Sequence, residues 1–402
     1  MCCLYIFSFS RLNDHKQKMI LLICLVTFLV LFGSCINKTK QIHDVNKITF
    51  NNECVADLTD SFDCNYIALE TNDDCLIGSP AQVQIIDNRI FVLDTYYAKK
   101  LFVFELDGKF VMQVGVRGGG PKEYSVPSSF KINNQSETII IHDSDRNKLI
   151  EYDLRTYKFR RTIEVPFSFT DFEILSNGNI AWYSPLGYPA GKPHSYVLIT
   201  DTAFKVVNTL LKGDFFSGYS LGPQNQLYLF EDDCFGYAPY SGILYKINSE
   251  EVLPKYEISF GEWRFPPMDY LKKESIGNKD YVYSLFASDY IATYSVYETA
   301  RLISVNYDRR KKQYLGLYDK QTNKTFNYSF VQFEKSLKIT GFRPPCGTYN
   351  NYIISALRTE EIVRCRKNVE YNKFFDQVIS NCNSEDNPVL FLFKYKNADN
   401  FL

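Results

Sequence analysis

The sequence predicts an all-β fold, a six-bladed β-propeller of four-stranded antiparallel blades. Three observations carry this reading. Short runs of β-branched and aromatic residues recur along most of the chain. Tight-turn dipeptides such as Asp107-Gly108 and Asn177-Gly178 separate many of them, because such pairs take φ > 0 at low cost. The runs then group into units of roughly 35 residues or more, the size of one blade. With 402 residues, 45% hydrophobic and 16% aromatic, the chain can fill a large strand-rich core. Its net charge of −1 gives no electrostatic basis for binding nucleic acid.

Ahead of the blades, residues 19–33 form an apolar run preceded by Lys16 and Lys18. The run falls short of the about 20 residues a membrane span needs, and it suits the apolar region of a signal peptide. It ends Leu31-Phe32-Gly33-Ser34-Cys35. Small residues before a cysteine resemble a bacterial lipobox, with Phe32 where leucine is usual. Cys35 is therefore the expected lipidated N-terminus of the mature chain. Residues 1–35 read as a lipoprotein signal peptide, 36–61 as a tether and 62–397 as the propeller. Asn37, Lys38 and Lys40 follow Cys35 without an acidic cluster, which favours an outer-membrane lipoprotein on the periplasmic face. None of the later cysteines forms a C-x-x-C pair, so zinc and thioredoxin-like chemistry lack a motif and buried thiols are expected.

The elements follow in order. Residues 64–70 form an isolated strand. Blade 1 has runs at 82–86, 89–94, 101–106 and 109–114, with Asp87-Asn88 as a further tight turn. Blade 2 has runs at 130–133, 138–143, 148–153 and 159–164. Ile-Phe-Val-Leu-Asp94 and Ile-Ile-Ile-His-Asp143 stand in equivalent places, and both aspartates are expected to cap the next turn. Blade 3 has runs at 172–175, 179–184, 196–200 and 205–211, with a Pro- and Gly-rich insertion at 185–193. Blade 4 shows three clear runs, at 226–230, 243–247 and 255–259. An insertion at 263–277 follows, in which Pro267 can start a short helix. Blade 5 has strands near 290–297, 302–307, 314–318 and 325–330. Blade 6 begins near Ile339 and includes 352–357, then a helix at 359–379 opened by Glu360 and Glu361, then a return strand at 388–396. Blade 6 thus lacks one strand and residues 64–70 supply one spare. The N- and C-terminal strands are expected to pair and close the ring, since an open ring would leave strand edges unpaired.

With these pieces placed, the chain resembles the Bacteroidetes-type six-bladed β-propeller lipoproteins, which are similar to NHL-repeat propellers. The matching features are the lipobox at Cys35, Leu69-Glu70-Thr71, the first blade, Gly118-Gly119-Gly120-Pro121-Lys122-Glu123-Tyr124 and Asn387-Pro388-Val389-Leu390. The loop in that family usually reads Gly-x-Gly-Pro-Gly-Glu-Tyr, and here Lys122 replaces a glycine. The resemblance implies a propeller at the cell envelope and leaves its activity open.

The loop at 115–124 is the candidate ligand-binding site, through Arg117, Gly118, Gly119, Gly120, Lys122, Glu123 and Tyr124. Consecutive glycines expose backbone N–H groups that can cradle an anion. The loop is not a P-loop, because Pro121 stands where that motif needs lysine. The alternative is a connection between blades that takes a sharp path. No catalytic residue is assigned: no sialidase box and no metal-spaced histidine pair occurs, and His142 and His194 stand apart. Carboxylate pairs such as Asp143 with Asp145 and Asp232 with Asp233 read as turns, and no metal or cofactor is required. Calcium in the axial channel stays an open alternative. Trp182-Tyr183, Tyr188, Tyr237 and Tyr240 are either core residues or stacking surfaces.

These readings together point to an envelope-anchored binding or scaffold protein. It would hold the membrane through a lipid and take a glycan or an envelope protein as partner. The alternative is a metal-dependent lactonase- or lyase-like hydrolase working in the axial channel.

Overall fold

The computed structural model describes residues 45–396, apart from 52, 55–57, 59, 189–193, 214–225, 276–279, 367–374 and 377–379. Cys35, the signal segment and the start of the expected tether lie outside the described residues. So do parts of the insertion at 185–193 and of the helix expected at 359–379.

Two strands, β1 (Asn46–Thr49) and β2 (Phe62–Ala68), precede the first complete blade. Blade 1 holds β3 (Gln82–Ile86), β4 (Arg89–Asp94), β5 (Lys100–Glu105) and β6 (Phe110–Val114). Blade 2 holds β7 (Pro127–Asn133), β8 (Thr138–Asp143), β9 (Lys148–Asp153) and β10 (Phe159–Glu164). Blade 3 holds β11 (Asp171–Ile174), β12 (Ile180–Tyr188), β13 (His194–Thr200) and β14 (Val206–Gly213). Blade 4 holds β15 (Leu227–Phe230), β16 (Asp233–Tyr237), β17 (Ile243–Ile247) and β18 (Val252–Ser259). Two helices, α1 (Met268–Ser275) and α2 (Tyr281–Ala287), lead to blade 5, made of β19 (Thr293–Glu298), β20 (Leu302–Arg309), β21 (Lys312–Asp319) and β22 (Lys324–Ser329). Helix α3 (Phe330–Leu337) leads to β23 (Gly347–Tyr349) and β24 (Tyr352–Leu357). Then come α4 (Thr359–Cys365) and β25 (Val389–Tyr395).

The ring closes as the strand count requires. Blade 6 has the order β2-β25-β24-β23, so the N-terminal strand completes the C-terminal blade. The pairing is antiparallel and unbroken, from Phe62 opposite Tyr395 to Ala68 opposite Val389. Phe62 also stacks on Tyr395 with ring centroids 4.4 Å apart.

Middle strands such as β4 and β8 are buried along their whole length apart from one half-buried end, because a neighbouring blade covers each face. That is why they read as continuous apolar runs. Outer strands such as β10 (FRRTIE) alternate with solvent. Blades meet through interleaved side chains, as where Phe91 and Leu93 of blade 1 pack with Phe130 and Ile141 of blade 2. Cys54, Cys64, Cys75, Cys234, Cys346 and Cys365 carry free thiols. Among the described residues, no helix is long and apolar enough to cross a membrane.

Three elements depart from the sequence reading. Strand β16 (DCFGY) was hidden by its acidic start, which reads as a turn. Helices α2 (YVYSLFA) and α3 (FVQFEKSL) carry aromatic and β-branched runs that score as strand. What overrides that propensity in α3 is its start, where Gln332 accepts the Ser329 backbone N–H at 3.0 Å.

The expected tether also changes. From Asn46 it belongs to the ring, because β1 adds to blade 4 as a fifth strand, parallel to β18. Phe50 follows, fully buried, and donates its N–H to Ser259 at 2.8 Å. The segment then crosses the outer edge of blade 5, where Asn327 donates to Asn51 at 2.8 Å and accepts from the Cys54 N–H at 2.6 Å. This strap covers edges that would otherwise be open. Gly316 makes room for it, since a Cβ there would lie 2.8 Å from the Phe50 ring. Phe50→Ala should cost about 3–4 kcal/mol, the usual loss for a buried phenylalanine. An unchanged denaturation midpoint would show that the strap contributes nothing to the ring.

Candidate functional site

Each blade is a meander that starts at its inner strand, so its turns sort onto two faces. Turns between first and second strands, and between third and fourth, share one face and span two to five residues. This is the hairpin face. The opposite face takes the blade-to-blade connections and the turns between second and third strands. Helices α1 to α4 all lie in segments on this connection face.

The inner strands β3, β7, β11, β15, β19 and β23 surround the axis and line a cavity of about 290 Å³. Each inner strand has one edge with no ladder partner, and its buried N–H and C=O groups need substitutes. The structure supplies them from neighbouring blades. Gln82 behaves like a strand, its amide donating to the Phe130 carbonyl at 2.8 Å and accepting the Phe130 N–H at 3.0 Å. The Val83 N–H reaches the Cys346 carbonyl at 2.8 Å. Asp171, fully buried, accepts the Leu227 N–H at 2.8 Å.

Lys131 binds Glu173 at 2.7 Å and lies 3.4 Å from Asp171. Burial opposes its charge, but the two carboxylates outweigh that and hold its ammonium above the ordinary range. Both carboxyls are raised by burial, with Lys131 pulling them back. On another wall, Glu298 accepts from Tyr228 at 2.8 Å, Tyr256 at 3.1 Å and Lys320 at 2.6 Å. No spacing signal joins these groups: 42 residues separate Lys131 from Glu173, and only the ring brings them together.

The glycine loop carries its own carboxylate, which fills its N–H cradle: Glu123 accepts the Gly120 N–H at 2.7 Å, and a Cβ on Gly118 would lie 2.1 Å from that carboxylate. The Gly118 N–H donates to the Tyr124 carbonyl at 2.9 Å. Tyr124 is buried, with its hydroxyl donating to Val114 at 3.0 Å, and burial pushes its phenol up to about 12. Lys148 and Tyr152 hold the loop from blade 2 through the Glu123 and Lys122 carbonyls. Arg117 and Gly119 face solvent; Lys122 does too, its ammonium 5.3 Å above the Phe159 ring. The geometry is that of a braced inter-blade connection.

Asp94 caps the turn after it, and both Asp94 and Asp143 receive the incoming connections. Asp94 accepts the N–H groups of Tyr96 and Tyr97 and those of Gly78 and Ser79. Asp143 accepts those of Ser125 and Val126. Trp182, Tyr183, Tyr188 and Tyr237 are core residues, not surface aromatics. The exposed rings are instead Tyr96, Tyr97 and Tyr283, at 66%, 65% and 64%. They carry no motif, only a place in connection-face loops.

His142 is also core, fully buried, with Nδ1 2.8 Å from the Ser128 hydroxyl and its ring stacked on Phe169. Burial pushes its imidazole down to about 3, against about 6.5 in the unfolded chain. The unfolded state therefore binds a proton that the folded state refuses between these values. Stability attributable to His142 is intact above about pH 6.5 and is lost progressively as pH falls toward 3, by up to roughly 4 kcal/mol. His142→Gln should flatten that acid limb in denaturation measured at pH 7 and pH 4. An identical slope in the variant would remove His142 as its source.

A closed ring of six four-stranded antiparallel blades around a charge-paired channel defines the class, a six-bladed β-propeller. The chain belongs to the 6-bladed beta-propeller family DUF5128, which it matches over residues 37–355. It is similar to a Bacteroides fragilis protein described as exported, with a TM-score of 0.83 and 29% identity, covering 88% of this chain and 100% of that one. A member of the DUF4221 family from Bacteroides vulgatus shares the fold at a TM-score of 0.52 and 9% identity, over 85% of this chain and 100% of that one. No curated protein matches the chain.

Proposed function

We propose that this chain is an exported, lipid-anchored propeller that binds a partner protein through its connection face. One observation carries the reading: among the described residues, exposed large apolar side chains concentrate there. Leu76, Tyr96, Tyr97 and Val116 lie in the loops around blade 1, and Leu186, Met268, Tyr283 and Val331 on those of later blades. Of the rest, Leu106 sits on the hairpin face, Val206 and Val207 on the outer strand β14, and Leu229 in the channel. Exposed apolar clusters of this kind mark contact surfaces.

A protein suits this face better than a glycan does. Sugars stack on aromatic rings, whereas the leucine, valine and methionine side chains here suit another protein's apolar surface. The hydrolase reading is less well supported, because the channel carboxylates already serve Lys131, Lys320 and backbone N–H groups.

Export is supported by the Bacteroides fragilis relative, described as exported. The lipobox at Cys35 supports a lipid anchor in the outer membrane, on its periplasmic side.

Replacing Tyr96 and Tyr97 together by alanine should weaken partner capture in native envelopes about tenfold, as expected for aromatic anchors. Leu106→Ala on the other face should leave it unchanged. A photo-crosslinker at Tyr97 that yields no protein adduct, alongside binding on a glycan array that the double variant abolishes, would replace the protein reading with a glycan one.

A further inference from the structure

We propose that the axial cavity binds a small alkylammonium ion, with Glu173 as its counter-ion. The cavity, about 290 Å³, reaches the hairpin ends of the inner strands, where Leu229 is 45% exposed. That volume holds a short aliphatic chain with a polar head.

The charge balance around it is incomplete. Two ammonium groups, Lys131 and Lys320, serve three carboxylates, those of Asp171, Glu173 and Glu298. With all three ionised, one negative charge is left over beside the cavity, and a cation joining it is favoured. Hydrogen bonding shows which carboxylate holds spare capacity. Both Glu298 oxygens accept from side chains, and both Asp171 oxygens accept backbone N–H groups. Glu173 gives one oxygen to Lys131, and its other receives only a long 3.4 Å contact from the Ile174 N–H. Glu173 lines the cavity, and Asp171 is not among its lining residues. Ile86, Ile132 and Leu229, none of them fully buried, supply apolar surface for the methylene chain. An anion would meet the surplus negative charge, and a neutral alcohol would leave it uncompensated.

The test titrates the full chain at pH 7 with n-hexylammonium, 1-hexanol and hexanoate, by calorimetry and by NMR. Hexylammonium should bind at least tenfold more tightly than hexanol, and hexanoate should not bind. Glu173→Gln should lower hexylammonium affinity at least tenfold. Equal affinity for hexanol, no binding of the ammonium, or unchanged affinity in Glu173→Gln would each overturn the proposal. Should Glu173→Gln not fold, Leu229→Trp decides, because it narrows the mouth and leaves every charge in place; undiminished binding then overturns the proposal. The outcome is independent of the connection-face reading, since neither variant touches that face.

Discussion

Six strand edges meet around one axis, and none has a ladder partner there. This constraint governs the inside of the molecule. In a flat sheet an edge strand faces water, which satisfies its backbone groups. In a closed ring the inner edges are buried, so each N–H and C=O needs a substitute from a neighbouring blade. Gln82, Lys131 and Asp171 are those substitutes, and each belongs to one blade while serving another. Their burial follows from this task. A lysine between two carboxylates would otherwise be a costly thing to put in a core.

The same constraint decides where long excursions of the chain can be placed. In a channel whose polar groups brace its walls, a group withdrawn for chemistry would unmake a contact between blades. The hairpin face is equally committed, because its turns join paired strands and their length is set by register. The connection face has no such limit, since it links elements that are not paired with each other, and long segments there cost little in loop entropy. Helices and exposed rings collect on this face for that reason.

Legibility in the sequence followed the same division. Strands β3 to β10 were readable nearly to the residue, because period and turn chemistry are local signals. Closure was readable by counting. Glu123 was seen as a candidate ligand residue, yet its role as the occupant of the glycine cradle was not, since only folded geometry places a carboxylate on Gly120. The channel network was invisible, because its members come from different blades. Tyr96 and Tyr97 were passed over, because exposure has no motif; Trp182 looked more conspicuous and proved to be core. Strand β16 and helix α3 fail for a third reason: an acidic start masks the first, and in the second a capping box at Ser329 outweighs the strand propensity of its aromatic run.

The strap ties the two halves of this argument together. A chain that merely linked an anchor to the ring would touch the blades nowhere. This one pairs with β18, buries Phe50 against Gly316 and crosses the edge of blade 5 before it supplies the last strand of blade 6. Three blades are thus clamped by residues that precede the first full blade in sequence. Closure of blade 6 and bracing of blades 4 and 5 therefore come from one segment, so the ring's integrity depends on residues that belong to none of its first five meanders.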